Sequence, residues 1–147
     1  MSTDVTVETE IARPRPEVAS YASDWRNDPT WIGALSDVRL VTDGPFGVGS
    51  RVARVASFLG KKIEYVNEVV GWDPGTRLEM RSVKAPFPMT VVYEFEDAGD
   101  GGSRMRIRAG GDASGFYKLA GPLLNAAVRK GISGDLKRLK RLLEGSS

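Results

Sequence analysis

The sequence predicts an α+β fold in which a seven-stranded antiparallel sheet wraps around one long C-terminal helix. Five segments between residues 51 and 111 alternate apolar and polar residues, which is typical of strands with one buried and one solvated face. From Tyr117 onward the apolar residues instead recur every three or four positions, as on one face of a helix. The residues of this face are Ala120, Leu123, Leu124, Ala127, Val128, Ile132, Leu136, Leu139, Leu142 and Leu143. The helix must bury that face, and the inner face of the strands is the only large apolar surface available to it.

The elements follow in order along the chain. A first strand is predicted at residues 5–11, and the segments "RPRPEVASYASDW" and "NDPTWIGAL" predict two short helices, the first of them with prolines at its start. The segment "SDVRLVTDG" predicts the second strand. The alternating segments then predict five more strands, separated by short turns rich in Gly, Pro and Asp, at residues 51–59, 62–72, 77–84, 89–96 and 104–111.

Composition excludes several kinds of chemistry. The chain has 147 residues with 41% hydrophobic content, so we expect a single domain spanning residues 1–147. It contains no cysteine, which excludes disulfides, thiol nucleophiles and thiolate-bound metals. It also contains no histidine, the commonest general base and metal ligand. We therefore expect neither a metal nor a cofactor.

Charge and hydropathy indicate where the protein works. The N-terminal segment "MSTDVTVETEI" lacks the basic and apolar regions of a signal peptide, and no apolar run reaches the length of a membrane span. We expect a cytoplasmic protein without stable membrane insertion. The net charge is +2, and the basic excess lies on the outer face of the C-terminal helix. We interpret that face as solvated and expect no nucleic-acid partner.

The faces of the strands follow from their turns, because antiparallel pairing preserves side-chain face. A two-residue turn at Gly60-Lys61 would place Phe58 opposite Ile63 and Arg54 opposite Asn67. Continued across the sheet, this register puts every glutamate of the paired strands on a charged outer face. It also puts three polar residues side by side on the apolar inner face: Arg54, Asn67 and Ser82.

Several segments resemble those of one known superfamily. The opening "IARPRPEVASYASDWRNDPTW", with Asp24 followed by Trp31, is similar to that of START and Bet v 1-like (SRPBCC) proteins. The segments "GVGSRV", "EVVGWDPGTRLEMR" and "GDLKRLKRLLE" resemble the polyketide cyclase/dehydrase group of that superfamily. The resemblance spans essentially the whole chain and implies a helix-grip fold with a cavity for an apolar or aromatic molecule. It carries over no catalytic residue.

The inner face supplies the candidate site. We expect an apolar small-molecule ligand, such as a polyketide or lipid, to bind between the sheet and the C-terminal helix. Polar groups at one end would orient a carboxylate or ketone oxygen, unless Arg54 instead pairs with a carboxylate near the rim. The predicted ligand-binding residues are Arg54, Tyr65, Asn67, Met80, Ser82, Val91, Tyr93, Ile107, Leu124 and Val128.

Two functions stay open on the sequence alone. The first is binding of the apolar molecule, and the alternative is a cyclase or dehydratase that acts on a bound poly-ketone. The candidate catalytic residues are Arg54, Tyr65 and Tyr93, which can polarise a carbonyl or donate a proton. Asp28 and Asp112 are possible carboxylates at the rim. The sequence does not determine the oligomeric state.

Overall fold

A computed structural model describes residues 3–145 of the chain. The strands are β1 (Thr3–Ile11), β2 (Leu35–Leu40), β3 (Arg51–Phe58), β4 (Lys61–Asp73), β5 (Arg77–Lys84), β6 (Met89–Asp97) and β7 (Ser103–Gly111). The α-helices are α1 (Arg15–Ser23), α2 (Asp28–Trp31), α3 (Ser114–Tyr117) and α4 (Gly121–Gly145), and short 3₁₀ turns lie at Trp25–Asn27 and Gly99–Gly101.

The seven strands form one antiparallel sheet in the order β1-β7-β6-β5-β4-β3-β2. Strands β2 to β7 are a meander, because each pairs with the next along the chain, and β1 pairs with β7. The short helices α1 and α2 follow β1, and α4 packs against the sheet. The predicted fold class is therefore confirmed.

Helix α4 divides into two halves with different surroundings. In its C-terminal half, the buried Leu136, Leu139 and Leu143 belong to the same core cluster as inner-face residues of the sheet. The N-terminal half instead faces a hollow below the sheet. The helix is continuous from residue 121 to residue 145, although its internal glycines allow a bend. Two leucines predicted on the buried face, Leu123 and Leu142, are exposed.

The outer face of the sheet is charged, as predicted. Arg106 of β7 bridges Glu8 of β1 and both Glu94 and Glu96 of β6. The two other arginines of this strand, at positions 104 and 108, each pair with an acid of β1. Acidic and basic side chains alternate across neighbouring strands, so each of these arginines meets a carboxylate. Such exposed pairs contribute little individually, but they keep this face in water.

The register differs from the prediction by two residues at two hairpins. The β3–β4 turn is Leu59-Gly60, with φ of 51° and 79°, so Arg54 pairs with Tyr65. Positive φ at both central residues is the requirement of the type I′ turn, which matches the twist of the strands. The β5–β6 hairpin is also displaced, since Met80 pairs with Val91 and not with Tyr93, its partner in the predicted register. A shift of two preserves the side-chain face, which is why the predicted faces hold.

Candidate functional site

A cavity of about 670 Å³ lies between the inner face of the sheet and helix α4. This volume is within the range of small-molecule sites in proteins. Its walls are mostly apolar side chains, contributed by β3 to β7, α4 and the segment after α2. Nine of the ten residues predicted as ligand contacts line it: Arg54, Tyr65, Asn67, Met80, Val91, Tyr93, Ile107, Leu124 and Val128.

The predicted row of Arg54, Asn67 and Ser82 does not form, because Arg54 lies opposite Tyr65. Asn67 does lie opposite Ser82 on β5. Ser82 is not among the residues lining the cavity, and its hydroxyl accepts a hydrogen bond from the backbone N–H of Met89 at 3.0 Å. This bond closes the β5–β6 loop, so Ser82 has a local structural partner. The side-chain oxygen of Asn67 is buried without a hydrogen-bond partner in residues 3–145.

The strongest polar feature at the cavity is a buried ion pair between Arg54 and Asp28. Arg54 Nε and Nη2 both donate to Asp28 Oδ2, at 3.1 Å and 2.7 Å. The third nitrogen, Nη1, lies 3.7 Å from the sulfur of Met80, which is a weak acceptor. Asp28 was a candidate rim carboxylate, but it is almost fully buried at the start of α2. The guanidinium therefore reaches the cavity with its charge already balanced.

Burial and ion pairing have opposite effects on the pKa of each partner. Burial raises the pKa of Asp28 because it penalises the charged carboxylate, and Arg54 offsets only part of that effect. Burial alone would lower the pKa of Arg54, but Asp28, Tyr65 and Tyr93 together outweigh it, so the net shift is upward. Arg54 stays positively charged at any ordinary pH. Asp28 is therefore the partner whose charged form burial disfavours more.

Tyr65 and Tyr93 are the two tyrosines of the inner face near this pair. Burial raises the pKa of each hydroxyl above its ordinary value, and Asp28 and Asp135 add to the rise. Both hydroxyls are therefore protonated at neutral pH and can donate a hydrogen bond. The ring of Tyr93 packs against that of Trp31, with centroids 5.8 Å apart. Trp31, too, lines the cavity, and its indole N–H has no partner within the described residues.

Sequence reasoning missed one carboxylate of the cavity wall, Asp135 on α4. Its Oδ1 accepts from the backbone N–H of Gly33 and from Arg138 Nη2, both at 2.9 Å. Arg138 Nε also donates to the carbonyl of Trp31 at 3.0 Å, which ties the end of α2 to α4. Burial raises the pKa of Asp135 in spite of these two donors. The sequence feature that could have identified Asp135 is its position three residues after Ile132, on the apolar face of the helix.

Aromatic side chains form another part of the cavity wall. Phe58 and Phe87 each pack against Tyr117 of α3, and Phe87 also contacts Phe116. Lys61 fixes α3 to the β3–β4 turn, because its Nζ donates to the carbonyl of Phe116 at 2.7 Å. Leu59, next to Phe58, lines the cavity and is about half exposed, so the cavity reaches the surface here, and we call this part of it the mouth.

The described residues offer no evident metal site. Between residues 3 and 145, no three acidic side chains lie close enough together to hold a metal ion. The polar groups that line the cavity instead include one guanidinium nitrogen of Arg54, the hydroxyls of three tyrosines, the amide of Asn67, the indole N–H of Trp31 and the carboxylate of Asp135.

The sheet, the gripping helix and the cavity between them define a START and Bet v 1-like helix-grip protein. A family model described as "Polyketide cyclase / dehydrase and lipid transport" matches residues 2–144. The chain belongs to this family, as its sequence motifs indicated. No curated protein matches the sequence significantly.

Solved structures share the fold at low sequence identity. The protein TTHA0849 from Thermus thermophilus is 22% identical, with a TM-score of 0.80 over 98% of this chain and 99% of that one. A START superfamily protein from Mycobacterium smegmatis is 13% identical, with a TM-score of 0.85 over 98% and 99%. The Zhui aromatase/cyclase from Streptomyces sp. R1128 is 15% identical, with a TM-score of 0.78 over 95% and 92%. In residues 3–145, no helix is long and apolar enough to cross a membrane.

Proposed function

We propose that this protein binds an apolar or aromatic small molecule, such as a polyketide or a lipid, in the cavity between the sheet and α4. The observation that carries the proposal is a 670 Å³ cavity with mostly apolar walls and a few polar groups at one place. Small-molecule sites have this composition, because apolar walls supply affinity and a few polar groups supply orientation. The family description, which includes polyketide cyclases and lipid transport, supports the same class of ligand.

The polar end of the ligand is a neutral oxygen. Asp28 already neutralises Arg54 and takes two of its three nitrogens, so the guanidinium has no unbalanced charge to offer a carboxylate. A ligand carboxylate would add a second buried anion beside Asp28, which is costly. A ketone or phenol oxygen can instead accept from Arg54 Nη1, or from the hydroxyl of Tyr65, without adding charge. The carboxylate alternative left open by the sequence is therefore the less favourable one.

The contacts proposed for the ligand fall into two groups. Arg54, Tyr65, Tyr93 and Asn67 would meet its oxygen atoms, and the amide of Asn67 can donate to such an oxygen. The apolar contacts proposed for the rest of the ligand are Met80, Val91, Ile107, Leu124 and Val128.

Native mass spectrometry of protein purified from its own host tests the proposal. We expect an additional mass that is released on denaturation and that belongs to a neutral, mainly apolar compound. The control is Gly131→Phe, since a β-carbon at Gly131 lies 3.7 Å from the ring of Phe58 in the cavity wall. A phenyl group there fills cavity space, so the variant should carry no additional mass. Wild-type protein that binds no apolar compound, either from its host or from a panel of added aromatic ketones, would contradict the proposal.

One observation favours a second function, that of a cyclase or dehydratase. Asp135 places a carboxylate of raised pKa in the same cavity as two protonated tyrosines and Arg54. Its carboxylate could take a proton from a carbon between two ketones, and the resulting enolate carbon would attack another carbonyl of the chain. The new carbon–carbon bond would close a ring, and the attacked carbonyl oxygen would become a hydroxyl by taking a proton from Tyr65 or Tyr93, which would regain one from Asp135. Loss of this hydroxyl with a neighbouring hydrogen as water would leave a carbon–carbon double bond in the ring.

This second function has its own test. Turnover of a poly-ketone should fall strongly in Asp135→Asn, and the acidic limb of its pH profile should disappear in that variant. An acidic limb that survives in Asp135→Asn would exclude Asp135 as the base. Absence of turnover with a retained ligand would leave binding as the function.

A further inference from the structure

The mouth of the cavity is built from three segments that meet at one end of the molecule. They are the β3–β4 turn at residues 59–62, the end of β5 with its loop at residues 83–88, and residues 116–123 from the end of α3 to the start of α4. Lys61 bonds to Phe116, and Phe87 packs on Phe116 with ring centroids 5.3 Å apart. We call these three segments the mouth rim.

The rim exposes apolar side chains that the core does not use. Leu59 is 47% exposed, Val83 is 46% exposed and Leu123 is 62% exposed. They are three of only six large hydrophobic residues that are exposed within residues 3–145. Leu59 also lines the cavity, so this apolar surface is continuous with the cavity wall.

Leu59 is an unexpected residue for its backbone conformation. It is the first central residue of a type I′ turn with φ of 51°, where Asn, Asp or Gly is strongly favoured because a larger side chain is strained. The leucine therefore lowers the stability of the turn and still leaves 47% of its surface in water. A surface that covers Leu59 would account for its presence.

The rim is also basic, although the acidic residue Asp112 lies beside it, with its backbone N–H bonded to the carbonyl of Pro88. Its three segments contain Lys61, Lys62, Lys84 and Lys118 and no Asp or Glu. None of these lysines forms an ion pair in the part of the chain that the structure describes. On the outer face of the sheet, in contrast, the three arginines of β7 are each paired with carboxylates. The lysine charges at the mouth are therefore not neutralised by carboxylates, although the ammonium of Lys61 also contacts the carbonyl and the ring of Phe116.

We propose that the mouth rim docks on the surface of an anionic lipid membrane, with Leu59 and Leu123 entering the headgroup region and the four lysines contacting lipid phosphates. An apolar tip surrounded by cations matches such a surface, which is anionic outside and apolar within. An acidic protein surface could bind the lysines, but it has no apolar layer beneath its charges for two leucines on separate segments to enter. Docking in this orientation brings the cavity opening to the membrane, from which an apolar molecule can pass without crossing water.

Vesicle co-sedimentation tests the proposal with the intact, unliganded chain, independently of any cavity ligand. We expect binding to mixed phosphatidylcholine/phosphatidylglycerol vesicles, weak binding to phosphatidylcholine alone, and loss of binding in high salt. Leu59→Asn should weaken binding about tenfold, the lower end of what burial of a leucine contributes. The same variant should raise the melting temperature, because asparagine suits the left-handed turn. A higher melting temperature together with weaker vesicle binding would show that Leu59 contributes to docking and not to folding.

The role of the lysines is tested with a double variant, and a control variant removes the same number of positive charges elsewhere. Lys84→Gln with Lys118→Asn should weaken vesicle binding about fivefold per lysine, the factor expected near an anionic surface. Asparagine is chosen at Lys118 because its φ is 54°. The control, Lys137→Gln with Arg141→Gln, removes two exposed cations from the other half of α4 and should leave binding unchanged. Absence of binding to anionic vesicles would overturn the proposal, as would a greater loss in the control than in the rim variants.

Discussion

Arg54 donates two hydrogen bonds to Asp28 through a single carboxylate oxygen, Oδ2. This leaves Nη1 directed to the thioether of Met80, a partner that an oxygen atom could replace with a gain in hydrogen-bond strength. The pair joins α2 to β3, so it fixes the short helix that closes one side of the cavity. The same contact therefore holds the fold and sets the charge of the site.

Removal of one member of this pair should destabilise the protein. Arg54→Met leaves Asp28 as a buried, unpaired carboxylate, and Asp28→Asn leaves Arg54 as an unpaired cation. We expect each variant to lose about 3–5 kcal/mol of unfolding free energy, as is typical when one partner of a buried ion pair is removed. Urea denaturation of each single variant at neutral pH gives this value.

The double variant Arg54→Met/Asp28→Leu is the control for that experiment. It removes both charges together, so its loss should be much smaller than the sum of the two single losses. Additive losses in the double-mutant cycle would show that the two residues do not depend on each other.

The packing of α4 predicts opposite results for two neighbouring leucines. Leu139 is fully buried in the core, and Leu142 is 40% exposed. Leu139→Asp would bury a charge, so we expect loss of a cooperative thermal transition. Leu142→Asp, with the same chemical change three residues away, should keep that transition. A native melt for Leu139→Asp would show that α4 does not pack on the sheet as described.

The raised pKa of Asp135 predicts a pH-dependent effect of Asp135→Asn. Above the ordinary pKa of 3.8 the unfolded wild type releases this proton before the folded wild type does, so the stability of the wild type falls as pH rises through the folded pKa. The variant has no such proton. Its unfolding free energy relative to wild type should therefore increase from acidic pH to neutral pH and then become constant. Urea denaturation across that range measures the difference, and a relative decrease with pH would mean that Arg138 lowers the pKa instead.

Gly134 offers a stabilising substitution at the cavity. It lies inside α4, and a β-carbon there would meet no atom within 4 Å. Gly134→Ala should raise the unfolding free energy by about 1 kcal/mol, the difference in helix propensity between the two residues. Urea denaturation measures the gain, and a loss of stability would indicate that the helix bends at this glycine.

Most of the fold can be predicted from the sequence, because a register error of two residues changes neither the alternation of a strand nor the face that it buries. The alternation of β3 to β7 fixes which side chains are buried, and a shift of two residues at Leu59-Gly60 leaves that unchanged. The shift was unpredictable from turn preferences, since they disfavour leucine at a left-handed position. The predicted core is correct for Leu136 and Leu139 and wrong for Leu123, which lies at the rim.

The site was harder to predict because its ionic partners come from distant segments. A sheet register shows which face Arg54 occupies, but it cannot show that Asp28 of α2 is brought against it. Asp135 escaped prediction because a charged residue is ordinarily assigned to solvent, although the helical period places it on the apolar face of α4. The position of Ser82 depends on its bond to Met89, and hence on how a proline-containing loop folds back. Periodicity predicts exposure well, but it does not specify contacts between elements.

In the proposed function, the cavity accepts an apolar molecule with a neutral oxygen beside Arg54. Titration calorimetry of the wild-type protein with two matched probes, 2-acetylnaphthalene and 2-naphthoate, tests this most directly at neutral pH. Because Asp28 already balances Arg54, we expect the ketone to bind at least about tenfold more tightly than the carboxylate, a difference of about 1.4 kcal/mol. Equal binding, or tighter binding of 2-naphthoate, would contradict the proposal, because it would show that Arg54 acts as a free cation toward ligands.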